Sequence, residues 1–228
     1  ETLGAPSAYP GMLVPVLMPS RPLVERAKVT LARRHGVAMG VSFLLPDAFI
    51  ERIGDECRTN DIPFFLEFVG YDHEGGDEKG AAFAEKKPNV VAGSMAEFSK
   101  DRYGVDVMKV EIPVNMKFVE GTGSFQGAKV YTKDEALGLF RKTAEVAGKP
   151  FIYLSAGFSN SEFTESLRLA CESGVRFSGV LCGRATWKDG IPIYAEQGGE
   201  AFRNWLRTEG VRNIGNVNDA LQGATSCL

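Results

Sequence analysis

V-D-V-M-K-V-E-I-P-V-N, residues 105–115, is the stretch on which the reading of the fold turns. Apolar and β-branched residues run through it as far as Pro113, the pattern of a strand buried inside a sheet, yet Lys109 stands in its middle. Side chains alternate across a strand, so Val107, Lys109 and Glu111 share one face and Met108, Val110 and Ile112 the other. A lysine facing an interior loses hydration, which favours the neutral amine. A neutral amine is a nucleophile toward carbonyls. The competing reading is a Lys109–Glu111 charge pair on an exposed strand face, and the rest of the chain has to decide between them.

Working outward, the same grammar repeats. Residues 37–45 (V-A-M-G-V-S-F-L-L) and 62–69 (I-P-F-F-L-E-F-V) precede the Lys109 stretch as apolar strands, and the second of them holds Glu67. Residues 150–155 (P-F-I-Y-L-S) and 177–182 (F-S-G-V-L-C) follow it. Between them lie helical segments: one opened by Pro46 and Asp47, a region to about residue 103 with a break or start at Pro88, then 133–147, 161–173 and 197–208. T-K-D-E at 132–135 is a capping box. Strand and helix alternate five times, which predicts an α/β fold with a parallel sheet and right-handed crossovers. No G-x-G-x-x-G follows the first strand, so a β/α barrel of the TIM type is favoured over a dinucleotide fold.

The start is less legible. Pro6, Pro10, Pro15, Pro19 and Pro22 are too many for a helix, and a short strand over 12–18 would be interrupted by Pro15. A helix over 23–34 follows, ending at Gly36. The expected organisation is one β/α-barrel domain over residues 1–228, with 1–36 divergent. Five strands, or six with 12–18, are too few to close an eight-stranded ring, so the barrel is expected to be incomplete.

Composition removes whole classes of function. The 228 residues carry a net charge of −3, which gives no electrostatic case for binding nucleic acid or an anionic membrane. No run approaches the roughly 18 apolar residues of a membrane span, and no signal-peptide pattern is present. The four cysteines are scattered without C-x-x-C and read as reduced thiols of a cytoplasmic protein. Two histidines cannot build a multi-histidine metal site, so no metal and no cofactor is expected. Oligomeric state is not encoded in any motif, and a homo-oligomer stays open.

In a β/α barrel the chemistry sits at the carboxyl ends of the strands, with phosphate commonly held after the last two. Here those ends read Ser155-Ala156-Gly157 and Cys182-Gly183-Arg184. Glycine lets backbone N–H groups approach an anion, and Arg184 adds a forked set of donors. Glu67 and Lys109 lie on neighbouring strands, so a carboxylate beside an imine-forming lysine can move protons through the carbinolamine and enamine steps. Ordinary βα turns and a salt bridge without chemistry are the simpler alternatives.

F-I-E-R-I-G-D-E-C, I-P-F-F-L-E, V-D-V-M-K-V-E-I-P-V-N-M-K-F-V-E-G, Y-L-S-A-G, G-V-L-C-G-R-A-T-W and W-L-R-T-E-G-V-R-N-I closely resemble the class I tagatose 1,6-bisphosphate aldolases, from about Phe49 onward. The resemblance implies a cytoplasmic, metal-free β/α-barrel lyase of the tagatose 6-phosphate route, acting on a phosphorylated ketose. It places Lys109 at the Schiff-base lysine and Glu67 at the proton-transfer glutamate. It also places Ser155, Gly157, Gly183 and Arg184 in the phosphate-binding strand ends. The implied reaction is cleavage of D-tagatose 1,6-bisphosphate to dihydroxyacetone phosphate and glyceraldehyde 3-phosphate. The sequence departs from the family at its start: the A-F-D-Q-R-like motif with its catalytic aspartate is missing, and Ser42 stands where the family has a lysine. Those departures leave two alternatives, a relative that binds sugar phosphates without cleaving them and an aldolase for another phosphorylated or sulfonated ketose.

Overall fold

The computed structural model describes residues 14–17, 22–23, 25–27, 41–72, 75–222 and 224. They group into two compact units. One contains the described residues up to Ile62 together with Asp101–Gly104, and the other runs from Pro63 to Lys100 and from Val105 onward.

In the first unit β1 (Val14–Leu17) pairs in parallel with β2 (Val41–Leu44). Helix α1 (Pro46–Thr59) follows at once, with proline in its first turn where no intrahelical N–H is needed. Its Gly54 is buried, because a Cβ there would stand 2.0 Å from the Tyr103 carbonyl oxygen of the 3₁₀ turn Asp101–Tyr103. Arg102 pairs with Glu51 at 2.9 Å across the same contact. Of the helix expected over 23–34, residues 25–27 are helical, while 28–40 lie outside the described residues.

The second unit is built on a four-stranded parallel sheet in the order β3-β4-β7-β8. The strands are β3 (Phe65–Glu67), β4 (Val107–Glu111), β7 (Phe151–Leu154) and β8 (Val180–Leu181), and the small parallel pair β5 (Val119–Glu120) and β6 (Tyr131–Thr132) lies between β4 and β7 in the chain. The helices are α2 (Ala81–Phe98), α3 (Lys133–Glu145), α4 (Asn160–Glu172), α5 (Arg184–Trp187), α6 (Ile191–Trp205) and α7 (Val211–Ala220). One face of the sheet carries Met108, Val110, Phe151 and Tyr153, all buried. Tyr153 anchors an aromatic cluster there with Phe140 of α3, Phe151 and Phe177. The α/β class with parallel strands in β/α alternation of the barrel type is thus present, and the described strands form separate sheets rather than a closed ring.

Several local expectations shift. Strand 62–69 was expected to be buried, yet β3 is an edge strand with Phe65 54% exposed, and Leu181 on the opposite edge is 52% exposed. The two central strands have neighbours on both sides: β7 is buried throughout, and β4 is buried except at the partly exposed Val107 and Lys109. Pro88 does not break α2, which runs through it. Proline removes the hydrogen bond to the carbonyl four residues earlier. That carbonyl, Ala84, lies 3.3 Å from the Tyr131 hydroxyl, which also donates to Glu85 at 3.0 Å, so a side chain from β6 satisfies the broken turn. The capping box at Thr132 is present, and Ser159 with Glu162 forms a second at the start of α4. α6 is interrupted at Gly198, whose backbone is not helical (φ 82°), so the helix expected over 197–208 starts at that break, after a separate helical stretch from Ile191, and continues through a π turn into α7. Among the described residues no helix is long and apolar enough to cross a membrane.

Candidate active site

Glu67 is the last residue of β3, and the parallel register sets it directly beside Lys109 of β4. Partners in a parallel register point to the same face of neighbouring strands about 4.8 Å apart. Their side chains therefore converge, and Lys109 Nζ donates to Glu67 Oε2 at 2.8 Å. The lysine side chain is 16% exposed and the glutamate 50%, so the lysine is the more buried partner and the carboxylate reaches solvent. The same sheet face carries the apolar side chains of Phe65, Val107, Ile152, Leu154 and Leu181, together with the Glu111 carboxylate.

The competing Lys109–Glu111 pair is not what forms. Glu111 shares the face with Lys109, but its Oε1 pairs with Lys87 Nζ of α2 at 3.2 Å, both side chains being nearly fully buried. Its Oε2 accepts from the Gly70 backbone N–H at 2.7 Å. Lys87 also lies 5.8 Å from the centre of the Phe158 ring.

The expected phosphate-binding residues occupy the carboxyl ends of two paired strands, since Leu154 of β7 is in register with Leu181 of β8. Ser155 is buried where β7 ends. Ala156 (φ 45°) and Gly157 (φ 78°) then both turn left-handed, and Phe158 N donates to Ser155 O at 2.8 Å to close the turn. Gly183 leads into α5, where Thr186 N and Oγ1 both donate to its carbonyl. Arg184 is exposed to solvent. The basic side chain that reaches the Ser155–Gly157 turn is Lys188, whose Nζ donates to Gly157 O at 2.8 Å.

Two more groups complete the surroundings. Burial pushes the Cys182 thiol up from its ordinary value, against the smaller opposing effects of a backbone hydrogen bond and of the positive charge of Lys109. Burial also acts to raise Glu162. Hydrogen bonds from the Ser159 backbone and hydroxyl, with Lys117 and Lys188 nearby, outweigh it and hold the carboxyl below its ordinary range. Among the described residues no cluster of three or more histidines, cysteines and carboxylates could hold a metal ion.

Sequence reasoning missed Lys87 and Lys188 as neighbours of the site and gave Cys182 no role beyond its place in a strand end. Glu111 carried a signal, its spacing of two from Lys109 on one strand face. Lys87 carried none, because Lys86 and Lys87 look alike until α2 sets their rotation: Lys86 points out to Asp72 and Lys87 inward. Chemically the arrangement offers a largely buried amine nucleophile, a carboxylate in hydrogen-bond contact with it, and beside them two glycine-containing strand ends.

The sequence pattern of the DeoC/LacD family aldolases matches residues 48–189. Tagatose 1,6-diphosphate aldolase 2 of Streptococcus pyogenes serotype M1 is 50% identical over 179 residues, which cover 78% of this chain and 54% of that protein. The tagatose 1,6-diphosphate aldolase of Staphylococcus epidermidis is 51% identical over 175 residues, 77% of this chain and 53% of the relative. The chain therefore spans about half the length of the curated relatives it matches. Among solved structures, an archaeal fructose-1,6-bisphosphate aldolase with its catalytic lysine bound to the carbinolamine intermediate aligns with a TM-score of 0.43 at 17% identity, over 83% of this chain and 62% of that one. With the family pattern covering more than half of its residues, this chain belongs to the DeoC/LacD family aldolases.

Proposed function

We propose that the chain carries the reacting groups of a Schiff-base aldolase that cleaves D-tagatose 1,6-bisphosphate. The observation that supports this most is the Lys109–Glu67 contact of 2.8 Å, on a sheet face whose other carboxylate, Glu111, is paired with Lys87. In this reading the Lys109 amine attacks the ketone carbon of the substrate, and the carbinolamine loses water to give an iminium. The C3–C4 bond then breaks, its electron pair moves into the iminium as an enamine, and glyceraldehyde 3-phosphate leaves. Protonation of the enamine carbon and hydrolysis of the imine release dihydroxyacetone phosphate and restore the amine. Glu67 relays protons in these steps, the role a carboxylate in direct contact with the amine can fill. Ser155, Gly157, Gly183 and Arg184 bind phosphate at the ends of β7 and β8. No cofactor takes part in this route, and a cytoplasmic enzyme of carbohydrate breakdown, as one β/α-barrel domain, is the setting it fits.

The experiment is borohydride reduction in the presence of dihydroxyacetone phosphate, followed by peptide mass spectrometry. A reduced adduct on Lys109 is expected, and a folded sample that yields none would sink the reading. A second reading, binding without cleavage, draws on Ser42, which stands where the resembling family has a lysine. It predicts saturable binding of the bisphosphate with no triose phosphate formed. A panel of phosphorylated and sulfonated ketoses separates tagatose 1,6-bisphosphate from other substrates.

A further inference from the structure

β3 is three residues long and, among the described residues, pairs on one side only, at the edge of its sheet. Its in-register pairing stops at the residue that matters, Glu67 with Lys109, followed by a 3.4 Å contact from Phe68 N to Lys109 O. So short an edge strand does not by itself fix where the chain goes next, and a carboxylate at its tip is only as well placed as the backbone beyond it.

That backbone is gripped from β4. Gly70 N donates to Glu111 Oε2 at 2.7 Å, and Glu111 lies two residues past Lys109 on the same face. Lys109 and Glu111 are thus two fixed points on one strand, about 6.6 Å apart along it, onto which Glu67 and Gly70 dock. The second oxygen of Glu111 is held by Lys87 Nζ at 3.2 Å, with side-chain exposures of 8% for the lysine and 7% for the glutamate. A Cβ at position 70 would stand 2.8 Å from Val90 Cγ1, so a larger residue there forces that side chain to shift. A buried ion pair is a poor route to stability, because desolvating both charges cancels much of their attraction. It does fix geometry.

We infer that Lys87 and Glu111 are positioning residues. They clamp the Gly70 backbone and so keep the Glu67 carboxylate within hydrogen-bond reach of the Lys109 amine. The inference rests on the reading of Lys109 and Glu67 as the reacting pair, but its test is independent of turnover.

A water-soluble carbodiimide joins a carboxylate to an amine in contact with it, so the Glu67–Lys109 cross-linked peptide, quantified by mass spectrometry, reports their proximity directly. Three variants are compared after circular dichroism and melting establish that each is folded. In K87M/E111L the ion pair becomes apolar at similar volume and Gly70 loses its acceptor. In K87M/E111Q the charges are gone but an amide oxygen remains for Gly70. In E111D the charge stays, but the oxygens are drawn back from Gly70 by one methylene. The cross-link is expected to be lost in K87M/E111L, kept in K87M/E111Q and reduced in E111D. With D-tagatose 1,6-bisphosphate, kcat of K87M/E111L should fall on the order of 100-fold with little change in KM, the pattern of a misplaced group rather than lost binding. The borohydride adduct on Lys109 should persist. A folded K87M/E111L that still cross-links, or a K87M/E111Q that loses the cross-link, overturns the clamp. If K87M/E111L does not fold, an unchanged cross-link in E111D overturns it instead. If the parent forms no adduct and cleaves nothing, the aldolase reading fails while the cross-link still tests the clamp.

Discussion

Glu67→Gln separates a chemical role for the carboxylate from a merely electrostatic one, because the two differ widely in magnitude. As an ion pair, Glu67 is half exposed and 2.8 Å from Lys109 Nζ. Pairs in contact with water are worth roughly 0–1 kcal/mol, since solvent and salt screen them. For a chain of this size that is a shift in Tm of about 2–4 °C at most. As the proton relay of the reaction, the same carboxylate would supply on the order of 10²–10⁴ in rate. That corresponds to about 2.7–5.5 kcal/mol at the transition state. Glutamine is nearly isosteric and keeps an oxygen for the Lys109 amine, so geometry is little disturbed while proton transfer is lost. The assay is triose phosphate release from D-tagatose 1,6-bisphosphate, run beside a thermal melt. The expected result is a melt close to that of the parent with cleavage lower by at least about 100-fold. The Lys109 adduct should still accumulate with dihydroxyacetone phosphate on long incubation. Cleavage indistinguishable from the parent, in a protein that cleaves at all, would refute the relay and leave Glu67 as a surface partner of the lysine.

Phe140→Ala removes a fully buried ring that meets Tyr153 edge-on at 6.2 Å between centroids, and it should cost about 3–5 kcal/mol, read as a lower urea midpoint. A loss under about 1 kcal/mol would mean that the aromatic cluster behind β7 does not hold the sheet. Ser159→Ala removes the cap of α4 and should cost about 1 kcal/mol near neutral pH. Burial opposes ionisation of Glu162, but the Ser159 hydrogen bonds outweigh it and hold this carboxyl below its ordinary value. The stability it contributes is therefore complete above that ordinary value and is lost as pH falls through the lower folded one. The gap between parent and variant melts should narrow over that acidic window, and a gap independent of pH would count against the assignment. Gly54→Ala places a Cβ 2.0 Å from the Tyr103 carbonyl, which α1 cannot absorb without moving. Amide hydrogen exchange in Pro46–Thr59 should accelerate, and unchanged protection there would contradict the close packing.

The sequence by itself determined the order and type of most elements. Near-continuous apolar runs mark β4 and β7 because central strands of a parallel sheet bury both faces. The capping box at Thr132 marks a helix start because it satisfies specific orphan N–H groups. It also placed Lys109 and Glu67 on neighbouring strands, since strand order follows from right-handed β/α alternation. Tertiary structure decided what local pattern cannot encode. Phe65 and Leu181 sit in apolar runs like those of the central strands, but their exposure depends on lying at sheet edges, a property of how many strands assemble. Pro88 reads as a helix breaker until Tyr131, more than forty residues later, supplies a hydroxyl to the freed carbonyl. Lys109 and Glu111 look like each other's partners at a spacing of two, yet parallel register gives Lys109 to Glu67, and the rotation of α2 gives Glu111 to Lys87. Each of these outcomes turns on which distant side chain arrives within hydrogen-bond distance, and that is fixed by packing in three dimensions rather than by neighbours along the chain.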